Sequence, residues 1–306
     1  MSDRLAVEIA GLKLPNPTML AAGILGLSPE SLLEASEKGA GAVVSKSAGL
    51  ESRVGYGNPA VVQVDCGLLN AIGLANPGAD HFAEEIRRLK RRGLRIPFVA
   101  SVFGFSSEEF AQVAKILAKA GADAVELNVS CPHVERTGSE IGQDPALVRE
   151  VVRAVRSTID KPVVVKLTPN VADIVEVAEA AVKAGADAVA AINTVRAMAI
   201  DVETARPILA NKIGGLSGSA VKPVAIRCVY EIYDAVKVPV IGCGGVTGWR
   251  DAVEFMLAGA SSVQVGTAIA YSGLGVFTSI TKGIGAYLRK KGFRSVTDFV
   301  GLSHRR

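Results

Sequence analysis

A chain of 306 residues with 49% hydrophobic content can bury a large core, and 34 basic against 30 acidic residues leave a net charge of +4, too even a balance to mark a nucleic-acid binder. No basic segment leads into an apolar stretch at the N-terminus and no run of about 18 apolar residues occurs, so secretion and membrane spanning are not indicated and a cytoplasmic protein is expected. Cys66, Cys131, Cys228 and Cys243 form no Cys-x-x-Cys pair, which argues against a disulfide framework, a zinc site or an iron–sulfur cluster on this chain and leaves a thiol available for chemistry.

In chain order, residues 7–14 alternate apolar and polar positions and are expected to form a hairpin that plugs the bottom of a barrel. Thr18-Met19-Leu20-Ala21 reads as the first buried strand. A unit then recurs four times, as Gly39-Ala40-Gly41-Ala42-Val43, Gly121-Ala122-Asp123-Ala124-Val125, Gly185-Ala186-Asp187-Ala188-Val189 and Gly259-Ala260-Ser261-Ser262-Val263. Its glycine reads as a helix stop and the run after it as a strand. Interleaved with it, a proline precedes a strand at Pro97-Phe98-Val99, Pro162-Val163-Val164 and Pro239-Val240-Ile241, where no ladder donor is lost.

These runs give eight strands separated by helical stretches such as 108–119 and 174–183. Apolar strands alternating with helices mean a parallel sheet, and eight alternating units favour closure into one (β/α)8 TIM barrel domain spanning 1–306. The basic run Arg87, Arg88, Lys90, Arg91 and Arg92 reads as a solvated helix end. Long insertions at 49–77, after strand two, and 195–219, after strand six, exceed ordinary loops and suggest binding insertions.

Barrel chemistry sits at the C-terminal strand ends, which here are polar: Ala22-Gly23, Ser45-Lys46-Ser47, Ser101, Asn128-Val129-Ser130-Cys131-Pro132, Lys166, Asn193-Thr194, Gly242-Cys243-Gly244-Gly245 and Gly266-Thr267. Glycines after strands seven and eight expose backbone N–H groups to an anion, and the helix N-termini that follow would add their dipoles. That anion is the phosphate of either a sugar substrate or a flavin mononucleotide. No Asp or Glu ends a strand, so Lys46 and Lys166 are expected to face a bound anion rather than a protein carboxylate. Asn128 and Asn193 suit a planar ring carrying amide groups.

Cys131, just past strand four, is a candidate general base for a proton beside a carbonyl. Cys66, Cys228 and His81 read as packing or surface residues, Cys243 as a small filler, Trp249 as packing at a helix start, and His304 as part of a mobile polar tail. No metal site is indicated.

Five motifs in order, Lys46-Ser47, Asn70-Ala71-Ile72-Gly73-Leu74, Asn128-Val129-Ser130-Cys131-Pro132, Gly214-Gly215-Leu216-Ser217-Gly218 and Val263-Gln264-Val265-Gly266-Thr267-Ala268, make the chain resemble the class 1B dihydroorotate dehydrogenases over nearly its whole length. The resemblance implies oxidation of dihydroorotate to orotate in pyrimidine biosynthesis, with Cys131 as base and hydride passing to FMN. It implies flavin contacts from Ala22, Lys46, Ser47, Ser101, Asn128, Lys166 and Ile192, and phosphate contacts from Gly218, Gly244, Gly245, Gly266 and Thr267. Lys46, Asn70, Ala71, Ile72, Gly73, Leu74, Asn128, Asn193 and Thr194 would hold the substrate.

By the same resemblance the loop carrying Cys131 closes with Gly138 and Gly142 as hinges. Electrons would pass to NAD through an iron–sulfur flavoprotein subunit carrying FAD and a 2Fe-2S cluster, in a heterotetramer built on a homodimer. Cysteine at 131 sets the chain apart from the membrane-bound class 2 enzymes, and the wording of residues 70–74 from class 1A, which uses fumarate. Ala22, Ser101, Ala75 and His133 stand where many relatives have serine, asparagine, glutamine and asparagine, so fewer side chains would bond the flavin. Other readings are a dihydropyrimidine dehydrogenase-like flavoenzyme, a flavin-free phosphosugar isomerase or lyase, and a non-catalytic scaffold for an electron-transfer partner.

Overall fold

In the computed structural model, which describes residues 4–130 and 141–305, the apolar runs form a closed parallel barrel. Its strands are β1 (Thr18–Leu20), β2 (Ala42–Val44), β3 (Phe98–Val102), β4 (Ala124–Asn128), β5 (Val163–Leu167), β6 (Ala188–Ala191), β7 (Val240–Cys243) and β8 (Ala260–Val265). Each pairs with the next in sequence, and β8 returns to β1 with Val263 opposite Thr18 and Val265 opposite Leu20. The expected (β/α)8 barrel is therefore present, strand for strand.

Around it lie α1 (Pro29–Glu37), α2 (Ala79–Arg91), α3 (Ser107–Ala120), α4 (Pro145–Arg156), α5 (Ile174–Lys183), α6 (Lys222–Ala235), α7 (Trp249–Leu257), α8 (Ala268–Ser272) and α9 (Val276–Lys291). Helix α3 shows why the sequence places them there. Ser106 caps its N-terminus by accepting from the Glu109 N–H, two glutamates occupy its first turn, and Gly121 ends it in the left-handed region at φ +118°. Its Phe110, Val113, Ala114 and Leu117 are fully buried, and a phenylalanine or leucine so placed contributes about 1.5–3 kcal/mol. The basic run does lie at the end of α2, with Arg88, Lys90 and Arg91 in its last turn. No helix among the described residues is long and apolar enough to cross a membrane.

The repeat has a structural reason beyond the helix stop. Gly39, Gly121, Gly185 and Gly259 all have φ between +98° and +119°, which a side chain disfavours. In two units the aspartate then locks the neighbouring strand. Asp123 Oδ2 accepts from Phe98 N at 2.8 Å and pairs with Lys90 at 2.7 Å, while Asp187 Oδ2 accepts from Val163 N at 2.8 Å and from Arg156 at 2.7 Å. Both N–H groups belong to the residue after the strand-opening proline, so the two repeated units are joined by one hydrogen bond.

Residues 7–14 form the expected hairpin, Val7–Ile9 against Leu12–Leu14, with Val7, Ile9 and Leu14 buried in the main core. The two insertions meet. Val61–Val64 and Gly67–Asn70 from the first, and Gly214–Ser217 and Val195–Ala197 from the second, make a single four-stranded antiparallel sheet with a small core of its own at Leu69, Ala71 and Leu209. Trp249 packs at the start of α7 as expected, against Gly283 and near Tyr287 of α9. The C-terminal expectation fails: His304 stacks on Tyr230 at 3.8 Å and lies 4.9 Å from Tyr233, so the aromatic face of α6 fixes the tail.

Candidate active site

At the C-terminal end of the barrel a chain of polar contacts crosses four strand ends. Ser101, fully buried at the end of β3, shares a hydrogen bond with Ser47 Oγ at 2.9 Å, and Asn128 Nδ2 donates to Ser47 Oγ at 3.3 Å. Asn193, after β6, donates from Nδ2 to Asn128 Oδ1 at 3.1 Å and to Ser130 Oγ at 2.9 Å. Residues 47, 101, 128 and 193, chosen from sequence as one mouth, thus form one connected array. Cys131 and His133 lie outside the described residues, as does Gly138. Gly142 is described, and it is closely packed. It sits in a buried 3-10 turn, Ile141–Gln143, and its N–H donates to the Val129 carbonyl at 2.8 Å; a Cβ there would lie 2.9 Å from the Val129 side chain.

The two lysines differ. Lys46 is half-buried, pairs with no carboxylate among the described residues, and burial holds its ammonium below the ordinary lysine range. Lys166 contradicts the expectation that protein carboxylates are missing. It lies in β5, donates to Gln264 Oε1 of β8 at 2.9 Å, and its Nζ is 3.9 Å from Glu126 Oε1 of β4. Burial works against the charged form. The Cys243 sulfur, which counts only once it is ionised, and the Glu126 carboxylate oppose burial and raise Lys166 above the ordinary value. Glu126 is the partner that remains while Cys243 is a thiol. Glu126 lies within its strand and not at its end, so it gives no strand-end signal in the sequence. It stands two residues before Asn128, and a period of two puts both on one side of the strand.

A second cluster is built from glycines. Gly218, Gly244 and Gly245 have φ of +102°, +123° and +82°, and side chains there would collide: a Cβ on Gly245 would lie 2.9 Å from the Gly218 carbonyl, and one on Gly218 would lie 2.7 Å from Gly67 Cα. Gly266 approaches Ala21, Gly244 approaches Ile192, and Thr267 Oγ1 donates to Ser217 Oγ at 2.8 Å. Beside them opens a cavity of about 140 Å³ lined by Gly67, Gly218, Ser219, Thr247, Thr267 and Tyr271, among others. The helix that follows β7 carries a carboxylate of its own near its start. Asp251 Oδ2 accepts from the Thr247 and Gly248 N–H groups just ahead of α7, and α8 after β8 is five residues long. The glycine loops bring backbone donors of their own to an anion.

The insertion sheet carries the rest. Asn70 ends its hairpin strand and donates to the Gly215 carbonyl at 3.1 Å, Ala71 is buried, and Gly73 and Leu74 both adopt positive φ, +72° and +59°. The Ile72 carbonyl accepts from Tyr56 N at 3.0 Å, which pins the segment from outside. Thr194 N donates to Asn193 Oδ1 at 2.8 Å. Asn170, which the sequence reading missed, holds the next stretch by donating to the Thr194 carbonyl and accepting from Arg196 N.

A closed parallel barrel whose strand ends carry amides, hydroxyls and two lysines beside a glycine cradle, under an insertion sheet, has the build of a (β/α)8-barrel enzyme. Comparison with known proteins makes this particular. The dihydroorotate dehydrogenase family model matches residues 4–288, and the chain belongs to that family. It is 52% identical over 299 residues to the dihydroorotate dehydrogenase B (NAD(+)) catalytic subunit of Pyrococcus abyssi, covering 98% of this chain and 99% of that protein. The subunit of the same name from Methanosarcina acetivorans is 52% identical over 298 residues, covering 97% and 95%, and that from Pyrococcus furiosus 50% over 299, covering 98% and 98%.

Proposed function

We propose that the chain, as one domain over 1–306, is the catalytic subunit of an NAD-linked dihydroorotate dehydrogenase acting in the cytoplasm and oxidising (S)-dihydroorotate to orotate for pyrimidine synthesis. The observation that carries this reading is the amide and hydroxyl array that ends at Ser130, the residue before Cys131, in a chain about half identical to such subunits from end to end.

FMN is the cofactor that the site fits. Three glycines form a cradle that side chains would fill, and Lys166 is a buried cation at the centre of the mouth, suited to an anionic ring. Gly218, Gly244, Gly245, Gly266 and Thr267 would hold the phosphate, and Ala22, Lys46, Ser47, Ser101, Asn128, Lys166 and Ile192 the rest. When bound, the flavin supplies the hydride acceptor.

The protein's own part is positioning and proton transfer. Asn128 and Asn193, each fixed by the other, orient the substrate's amide edges, with Asn70 to Leu74 and Thr194 completing the enclosure. Lys46, a desolvated ammonium, faces the substrate's carboxylate and the charge that develops on the ring. Cys131 Sγ removes the proton from the ring carbon beside the carbonyl as hydride leaves its neighbour, so that the two hydrogens depart separately, one as a proton and one as hydride with both electrons. Lys166 offsets the negative charge gained by the reduced ring. The reoxidising partner is an iron–sulfur flavoprotein subunit carrying FAD and a 2Fe-2S cluster, bound to a homodimer of this chain.

Purified protein loaded with FMN tests the reading. It is expected to turn over dihydroorotate with an artificial acceptor and to discriminate against dihydrouracil, which lacks the carboxylate. Cys131→Ala should keep its flavin and lose about 10²–10⁴-fold in rate. Activity on dihydrouracil alone, an unimpaired Cys131→Ala variant, or failure to bind FMN would each overturn it.

A further inference from the structure

Three polar side chains lie sealed inside the barrel, from three different strands: Glu126 of β4 and Gln264 of β8, each 1% exposed, and Lys166 of β5, 6% exposed. Gln264 is bonded at both ends. Its Oε1 accepts from Lys166 Nζ at 2.9 Å and its Nε2 donates to Glu126 Oε2, so its amide cannot turn without losing both bonds. The second carboxylate oxygen, Oε1, makes no hydrogen bond among the described residues and lies 3.9 Å from the ammonium.

Such a trio is costly. Withdrawing each ion from water costs several kcal/mol, and apolar residues of similar volume would pack there at least as well, so stability alone does not explain it. The geometry has a feature that a direct ion pair lacks. A carboxylate in direct contact would largely neutralise the lysine, whereas one held behind a neutral amide supplies a more distant counter-charge and leaves part of the ammonium's field uncompensated. Lys166 sits opposite Asn128 in the β4–β5 register, so that field acts on the mouth. The groups that bear on it are Glu126 from β4 and Cys243 from β7, with Gln264 from β8.

We propose that Glu126 is a positioning residue for flavin reduction: acting through Gln264, it keeps Lys166 an ammonium in both oxidation states of the cofactor, so that reduction draws no proton onto this lysine. The inference rests on the FMN reading above. Without the carboxylate, a lysine buried to this degree would be neutral beside the oxidised ring and would take up a proton only when the ring becomes negative.

The test is the pH dependence of the reduction potential of the bound flavin, read by its visible spectrum in wild type, Glu126→Gln and the size-matched Gln264→Met. In wild type the two-electron equilibrium should change tenfold per pH unit, about 30 mV. Both variants should show a further tenfold per unit, another 30 mV or so, over the range in which Lys166 changes protonation with reduction, and Glu126→Asp should restore the wild-type slope. On flavin-free protein, NMR of the Lys166 Cε methylene should show titration above the ordinary 10.5 in wild type and lower in the variants. Variants that hold flavin with wild-type slopes, or a wild-type Lys166 that titrates below the ordinary value, would overturn the proposal. A wild-type protein that binds no FMN would instead overturn the functional reading beneath it. If Glu126→Gln does not fold, Gln264→Met and the wild-type titration decide.

Discussion

Asn70 and Gly215, 145 residues apart in sequence, face each other in antiparallel register, and the Asn70 side chain also donates to the Gly215 carbonyl at 3.1 Å. This pair joins the two insertions, one after β2 and one after β6, into a single sheet. It also sets how closely the sheet approaches Thr194. A Cβ on Gly215 would lie 2.1 Å from Thr194 Oγ1, a contact that cannot persist.

Gly215→Ala should therefore displace Thr194 and loosen substrate binding while leaving the glycine cradle intact. Overpacking of this kind costs about 1–3 kcal/mol, roughly tenfold in affinity. Steady-state kinetics should show KM for dihydroorotate raised by about that factor with flavin content unchanged. A normal KM would mean that Thr194 does not hold substrate.

Gly245→Ala should act on the cofactor instead. The position has φ +82°, and a Cβ there would lie 2.7 Å from Lys222 Cβ and 2.9 Å from the Gly218 carbonyl. Left-handed strain of about 1–3 kcal/mol and the clash would together open the cradle. The FMN content of purified protein, and its dissociation constant by fluorescence, should show at least tenfold weaker binding; tight binding in the variant would place the phosphate elsewhere.

The barrel was legible because repetition and strand-opening prolines are local signals, and the four repeat glycines all occupy the positive φ that their role as helix stops requires. Strand ends likewise identified the contacting set Ser47, Ser101, Asn128 and Asn193. What stayed hidden was long-range. Nothing near Asn70 announces Gly215, and nothing near Lys166 announces Glu126, since a parallel barrel brings together side chains from strands far apart in sequence. Asp251 shows the same limit from another side. Its carboxylate accepts from the Thr247 and Gly248 N–H groups just ahead of α7, a bond pattern that geometry reveals.

The thiols should separate by environment. Burial pushes both Cys228 and Cys243 above the ordinary thiol range, with Arg227 and Lys166 respectively opposing it, whereas Cys66 is exposed. A raised value means that the unreactive thiol form dominates at pH 8. Brief alkylation of native protein, read by peptide mass spectrometry, should label Cys66 and spare Cys228 and Cys243 until the protein unfolds. Early labelling of Cys243 would show that the β7 end opens in solution.

Asp251 should carry part of the acid sensitivity of the fold. Burial raises its carboxyl, but bonds from the Thr247 hydroxyl, Lys222 and the Thr247 N–H outweigh this and bring it below 3.8. A group whose value is lowered by folding contributes stability that is present above its unfolded value and lost as pH falls through the folded one. The contribution is thus intact at pH 7, begins to fade near 3.8, and is gone below the folded value. Asp251→Asn removes it at every pH and leaves Lys222 with Glu254 alone. Denaturant unfolding should show the variant weaker by about 1–3 kcal/mol at pH 7, with the gap narrowing as pH drops below 4. A gap that stays constant through the acid range would mean that Asp251 stabilises by packing and neutral hydrogen bonding, not by its charge.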